Sequence, residues 1–367
     1  MKVIFAGGGT GGHIFPAVAV IEAMRAKAPA LEPLFVLGGT RGSAMLERAG
    51  VPWRSIPVRG MPRGSRLRMP GFFLRFGLSV LRSLLLVARF RPAAVVAVGG
   101  YASTPVALAA RLLGRPVFAA EQNTVAGIAT RWNARVAKRV FLAYDDARAG
   151  LPAKTDAVLT GNPVRREIFE GDRERALRRW GLRENRLTIL VIGGSQGART
   201  MNAVVREALE RWDEGGDGVQ VLFQTGETDI GTIRESCGRV APLVRPVPFL
   251  TEMGDAYGVA DLVVCRAGAS TLAEITALGL PSILVPFPAA TDRHQSRNAR
   301  VLAGHGAALA LEEKDLSPGI LLGAMKELLA DGERRAAMAR KARELGRPDA
   351  AERIAGEIMA VAGGKGA

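Results

Sequence analysis

Cysteine is nearly absent: Cys237 and Cys265 are the only two in 367 residues. Two thiols make neither a metal cluster nor a disulfide framework, so each is expected to fill a core position in an intracellular protein. No apolar run approaches the ~20 charge-free residues of a spanning helix. Lys2 leads straight into a strand, so no signal peptide is expected. Acidic residues are missing altogether from Arg59–Pro92, where eight arginines stand at 59, 63, 66, 68, 75, 82, 89 and 91.

That local lack is part of a larger imbalance. Residues 1–160 hold 22 Lys and Arg against 7 Asp and Glu, a net of +15, whereas residues 161–367 hold 28 of each. A basic half beside a neutral one implies an anionic surface or substrate on one side. Within the basic half, Phe72–Phe90 is mostly apolar, and Arg75, Arg82 and Arg89 recur seven apart, drifting slowly around one side of a helix. One reading is a buried helix with an arginine edge. The other is a helix that sits, with the arginine loop before it, among anionic lipid headgroups. Nucleic acid is not expected as a partner, because the arginines are interleaved with Leu and Phe and no nucleic-acid-binding motif is present.

What the chain has in quantity is glycine placed between strands and helices. Val3–Ala6 reads as a strand that runs into Gly7-Gly8-Gly9-Thr10-Gly11-Gly12-His13, with a helix expected to open at Pro16. Such a loop lets backbone N–H groups gather round an oxyanion. No Gly-Lys-Ser/Thr follows, and no acidic residue ends the next strand, Leu34–Leu37. Both the P-loop and the dinucleotide fingerprint are therefore poor fits. A phosphate or diphosphate cradle of another kind is expected.

The pattern repeats along the chain. Ala93–Val98 runs into Gly99-Gly100-Tyr101-Ala102-Ser103, and Pro116–Ala120 ends in Glu121-Gln122-Asn123. Gly161-Asn162-Pro163 is a turn signal and a plausible hinge. Leu187–Ile192 then opens a second half with Gly193-Gly194-Ser195-Gln196-Gly197. Leu262–Cys265 leads to Arg266–Thr271 and a helix at Leu272–Leu278 carrying Glu274, and Ser282–Pro286 reads as the last strand, with His294 and Gln295 beyond it. Strands alternating with helices imply parallel α/β packing. At this length two domains are expected, 1–160 and 161–340, with 341–367 as a helical tail packing back towards the first.

Seven of these segments, in order, resemble the MurG family of N-acetylglucosaminyltransferases: Gly7–Pro16, Gly99–Ser103 with Pro105, Glu121–Asn123, Gly161–Arg165, Gly193–Arg199, Arg266–Glu274 and Asp292–Gln295. The resemblance covers nearly the full length. It implies a GT-B fold, two Rossmann-like domains with parallel sheets facing across a cleft. It further implies inverting transfer of GlcNAc from UDP-GlcNAc to the 4-hydroxyl of MurNAc-pentapeptide on pyrophosphoryl-undecaprenol, lipid I to lipid II, in peptidoglycan synthesis. The enzyme would be peripheral on the cytoplasmic face of the bacterial inner membrane, held there through Arg59–Pro92.

Donor-binding residues carried over by the resemblance are Thr10, Gly11, Gly12, Asn123, Arg165, Ser195, Gln196, Leu250 through its backbone, Ala269, Ser270, Thr271, Glu274, His294 and Gln295. Glu274 suits a ribose because a carboxylate accepts from both vicinal hydroxyls. Its competing reading is a first-turn glutamate balancing a helix dipole. Gly9, Gly99, Gly100, Tyr101 and Ser103 would receive the acceptor diphosphate. His13 is the expected general base and Glu121 the second candidate for base or positioning; His13 could also orient the loop. No Asp-x-Asp pair of the metal-dependent transferases is seen, so no metal and no cofactor are expected. The alternatives are another glycolipid glycosyltransferase, a UDP-GlcNAc 2-epimerase of the same architecture, and a non-enzymatic binder of anionic membranes or nucleic acid. The last leaves the second half's glycine loop and Glu274 unexplained.

Overall fold

The computed structural model of the chain describes residues 1–58, 69–193, 199–212, 216–237 and 242–363. They form two compact units, Met1–Arg165 with Arg347–Ala367, and Arg166–Gly346. The turn at Gly161-Asn162-Pro163 thus belongs to the first unit, where Gly161 adopts a φ of 88°.

The first unit is built on seven strands: β1 (Lys2–Gly7), β2 (Glu32–Leu37), β3 (Trp53–Ser55), β4 (Ala94–Ala97), β5 (Val117–Glu121), β6 (Arg139–Leu142) and β7 (Ala157–Leu159). All pair in parallel, in the order β3-β2-β1-β4-β5-β6-β7. Its helices are α1 (Gly11–Lys27), α2 (Ser43–Arg48), α3 (Met69–Phe90), α4 (Ser103–Leu112) and α5 (Ile128–Asn133). Parallel strands joined by helices are covered on both faces, which is why they read as unbroken apolar runs. In β1, Val3 and Phe5 pack with Ile14 and Ile21 of α1 on one face, while Ile4 and Ala6 pack with Val106 and Ala110 of α4 on the other. Each such side chain contributes roughly 1.5–3 kcal/mol through burial.

The second unit restarts with α6 (Arg173–Trp180) and β8 (Leu187–Ile192), followed by α7 (Arg199–Glu210), β9 (Val219–Gln224), α8 (Ile230–Cys237), β10 (Leu243–Val247), α9 (Met253–Val259), β11 (Leu262–Cys265) and α10 (Ala269–Leu278). It ends with β12 (Ser282–Leu284), α11 (His294–Gly304), β13 (Leu309–Ala310), α12 (Pro318–Ala330) and α13 (Gly332–Leu345). The sheet order is β10-β9-β8-β11-β12-β13, again all parallel. Helix α14 (Ala350–Gly363) belongs to the first unit, where Ile354, Ala355 and Ile358 join the α1 side of the core. Both cysteines are free and buried; burial pushes the Cys237 thiol up to about 11 and that of Cys265 higher still.

Four expectations are corrected. Helix α1 opens at Gly11, not Pro16, so Pro16 stands inside it and has no N–H for the Gly12 carbonyl. Helix α10 opens at Ala269, three residues before Leu272. β12 is not the last strand, since the two-residue β13 adds an edge too short for any periodicity to reveal. Finally, α3 is not a buried helix. Its inward positions include Phe72, Ser79, Ser83 and Val87, while Phe73, Leu74, Leu78, Leu81 and Leu85 are exposed, Leu74 by 69%. Ser79 donates to the Pro57 carbonyl at 2.6 Å and Ser83 to the Ser79 carbonyl at 2.7 Å, so small hydroxyls line the face that meets the body. By length and composition Pro70–Phe90 could even cross a membrane, at a mean hydropathy of 1.7, despite its arginines.

Candidate functional site

Open parallel sheets meet ligands beyond the carboxyl ends of their strands, where the strand order reverses. In the first unit that point lies between β1 and β4, and the two glycine loops meet there. The Gly8 N–H donates to the Gly99 carbonyl at 3.0 Å. His13 lies between them. A Cβ on Gly8 would stand 2.9 Å from its Nδ1, and one on Gly99 2.9 Å from its Nε2. Gly99 and Gly100 also have φ of 96° and 74°, so glycine is required twice over. Thr10 Oγ1 is 3.1 Å from His13 Nδ1. Gly9 is glycine because its α-carbon packs on the Arg41 carbonyl.

Around this point sit the other sequence candidates of the first unit. Thr10 precedes α1, and Gly11, Gly12 and His13 are its first three residues. Tyr101 is half-buried in the β4–α4 loop. Ser103 is fully buried; its hydroxyl donates to the Gly100 carbonyl at 2.7 Å and accepts from Asn133 Nδ2 at 2.8 Å, which fixes the turn. Its one hydroxyl proton is thus already given within the turn. Glu121, 4% exposed, ends β5 and accepts from the Asn123 N–H and Asn123 Nδ2 through Oε1 and from the Gly127 N–H through Oε2. Both carboxylate oxygens therefore shape the loop 121–127. Arg165 lays its guanidinium 4.1 Å over the Phe15 ring of α1.

In the second unit the order reverses between β8 and β11. Ser195 and Gln196, which follow β8, lie outside the described residues, as does Arg59–Arg68 of the first unit. After β11, Ala269, Ser270 and Thr271 are the first three residues of α10. Ser270 Oγ is buried and has no hydrogen-bond partner among the described residues. Glu274 is the sixth residue of the helix, beyond its first turn, and is 7% exposed. The dipole-balancing reading thus falls away. Its Oε2 accepts from the Tyr257 hydroxyl at 2.7 Å. The Leu250 N–H, at the end of β10's loop, donates to Gln224 Oε1 at 3.3 Å.

The helices differ in how they begin. Side chains cap α6, α12 and α13, through Asp172, Ser317 and Asp331. By contrast α1, α4 and α10, like α2, α5 and α11, begin with no side-chain cap and no acidic residue in their first turns. Uncapped N–H groups and a positive dipole end are what an anion needs.

The turn before α11 supplies the last candidates. Asp292 and Arg293 both stand in the left-handed region, at φ of 52° and 53°. Backbone strain of this kind gathers at functional turns. His294 Nδ1 lies 2.7 Å from the Thr291 carbonyl, which only accepts, so that nitrogen carries the proton. Gln295 Oε1 accepts from the Phe287 N–H at 2.9 Å, which turns its amide NH2 away from that contact as a donor. Among the described residues no three His, Cys, Asp or Glu side chains gather as a metal site.

Residues 3–142 match the glycosyltransferase family 28 N-terminal domain and residues 188–354 its C-terminal domain. A protein of Desulforudis audaxviator named UDP-N-acetylglucosamine--N-acetylmuramyl-(pentapeptide) pyrophosphoryl-undecaprenol N-acetylglucosamine transferase is 39% identical, over 99% of each chain. The chain belongs to the MurG family of glycosyltransferases. This MurG-family chain is also similar to the crystal structure of MurG from Acinetobacter baumannii, with a TM-score of 0.76, 28% identity and coverage of 98% and 99%. It has a GT-B-like pair of Rossmann-like domains. A UDP-GlcNAc 2-epimerase from Neisseria meningitidis aligns with a TM-score of 0.70 over 98% of this chain and all of that one. At 13% identity that likeness shows the fold alone.

Sequence reasoning missed Tyr257, Gln224 and Gln122. Gln122 is buried and donates through Nε2 to the Val98 carbonyl at 3.2 Å, bracing the second glycine loop. A buried amide at the carboxyl end of a strand was the available signal for both glutamines. Tyr257 had one only in being a tyrosine in a chain with three.

Proposed function

We propose that this hexosyltransferase moves GlcNAc from UDP-GlcNAc to the 4-hydroxyl of the MurNAc unit of lipid I, giving lipid II and UDP. The observation that carries the reading is Glu274, a carboxylate enclosed beside an uncapped helix start at the β8/β11 reversal point. A carboxylate accepts at about four positions on two oxygens, and a ribose diol supplies two donors.

In this reading α10's first turn, with Ala269, Ser270 and Thr271, lies against the nucleotide. Gln295 donates to a GlcNAc hydroxyl, and His294, protonated at Nδ1, offers Nε2 as an acceptor. The Leu250 backbone and Ser195 and Gln196 complete the second unit's donor residues, and Thr10, Gly11, Gly12, Asn123 and Arg165 are the first unit's residues assigned to donor recognition. The uncapped starts of α1 and α4, with Gly9, Gly99, Gly100 and Tyr101, take the lipid diphosphate. Ser103 and Glu121 hold those loops in shape and do not touch the substrate.

Transfer with inversion needs one base for the acceptor hydroxyl and a stabilised diphosphate leaving group. His13 is the base: in the tautomer that donates Nδ1–H to Thr10 Oγ1, 3.1 Å away, Nε2 is the atom that takes the proton. The same ring packs against both Gly8 and Gly99, so it also shapes where the acceptor lies. The leaving diphosphate is met by N–H groups at a helix start, and the step is proposed to need no metal. The outward apolar face of α3 and the arginines around it rest on an anionic membrane, on its cytoplasmic side. That helix favours transfer to a lipid-linked acceptor over 2-epimerisation of a soluble nucleotide sugar, which needs no acceptor.

The donor half is tested by calorimetry with UDP-GlcNAc. Glu274→Ala removes hydrogen bonds to a charged group worth about 1.5–3 kcal/mol, so the Kd rises at least tenfold. An unchanged Kd would remove Glu274 from the donor site.

A further inference from the structure

Tyr257 is fully enclosed, at 2% exposure, and its hydroxyl has found a carboxylate on another helix. The helix that carries it is held from other sides. Asp255 takes a two-pronged contact from Arg175, at 2.7 Å from Nε and 2.5 Å from Nη2, and a third hydrogen bond from the Asp172 N–H at 3.0 Å. Gly254 packs so closely that a Cβ on Gly171 would overlap its carbonyl, and one on Gly254 would overlap the carbonyl of Glu167. At 100° per residue, positions 254, 255 and 257 point in three different directions. A helix fixed in two of them presents the third at a set place.

The terminal torsion of a glutamate is broad, so its carboxyl plane is set by whatever holds it. A carboxylate offers about four acceptor positions on two oxygens. Tyr257 occupies one of those on Oε2 and thereby selects the plane in which the others lie. We propose that Tyr257 is a positioning residue for the donor site, aligning Glu274 with the ribose diol and so setting the preference for ribonucleotide over 2′-deoxyribonucleotide donors. This rests on the assignment of Glu274 to the donor ribose.

The test compares UDP with dUDP by calorimetry on the full-length protein, and KM with kcat for UDP-GlcNAc in transfer. Tyr257→Phe keeps the ring and removes the donor. Its KM for UDP-GlcNAc rises about tenfold while kcat stays within about twofold, because the ribose is held alike in the ground and transition states. The preference for UDP over dUDP shrinks by a similar factor. Should losing this hydrogen bond unfold the variant, the comparison moves to Glu274→Gln against Tyr257→Phe/Glu274→Gln, where no charge is enclosed. There the single variant, whose amide oxygen still accepts from Tyr257, keeps more of the preference than the double. A Tyr257→Phe protein with lowered Tm but an unaltered UDP/dUDP ratio overturns the proposal and leaves the tyrosine a packing residue. A parent protein that binds UDP and dUDP equally overturns the ribose assignment itself, and this proposal with it.

Discussion

Asp255 illustrates how a single side chain in this fold couples structure to pH. Its carboxyl is held below the usual carboxylate range, chiefly by the Arg175 hydrogen bonds and also by the Asp172 N–H, with burial pulling the other way. A depressed acid stabilises the folded state fully above about pH 4, its unfolded value, and loses that contribution as pH falls through the folded one. Asp255→Asn is therefore expected to melt below the parent at pH 7, with the gap in Tm closing below about pH 4; a gap independent of pH would contradict this. No pattern in the sequence pairs Asp255 with Arg175, 80 positions away. His13 was legible because glycines flank it in sequence, but its contact with Gly99 needed the β1–β4 pairing. Glu274 was legible through its segment, whereas its burial and the Tyr257 contact were not, since both depend on how α9 packs.

Elements were easier to read than their ends. Strands covered on both faces, such as Ile189–Ile192, announce themselves as apolar runs, and glycine loops mark where each gives way to a helix. The starts of α1 and α10 were misjudged because glycines and small residues carry helical backbone there without any apolar repeat. Helix α3 was ambiguous for a different reason: its composition suits a core, and only the direction of its faces decides. Serines turned inward and leucines outward are the reverse of a water-facing helix. Replacing Leu74 and Leu81 with serine removes two exposed apolar contacts worth roughly 1.5–3 kcal/mol each. Binding to vesicles rich in anionic lipid, followed by co-sedimentation, is expected to weaken at least tenfold while the melting curve is kept. Equal binding by parent and variant would take α3 out of the membrane contact.

At the scale of the whole molecule, the charge split and the two repeated sheets say the same thing. The first unit has the basic excess, the outward apolar helix and two glycine loops braced on His13; the second has the enclosed Glu274 and the strained turn before Gln295. Architecture alone does not choose a reaction, since a 2-epimerase shares it at 13% identity. The choice comes from family membership and from the outward apolar helix of the first unit. The measurement that tests it most directly is transfer of labelled GlcNAc from UDP-GlcNAc to a short-chain lipid I analogue, with the parent beside His13→Gln. The parent is expected to form labelled lipid II, and the variant to lose about 10²–10⁴-fold in kcat with its UDP-GlcNAc Kd within twofold. A parent protein that makes no lipid product but interconverts UDP-GlcNAc with its 2-epimer would contradict the account.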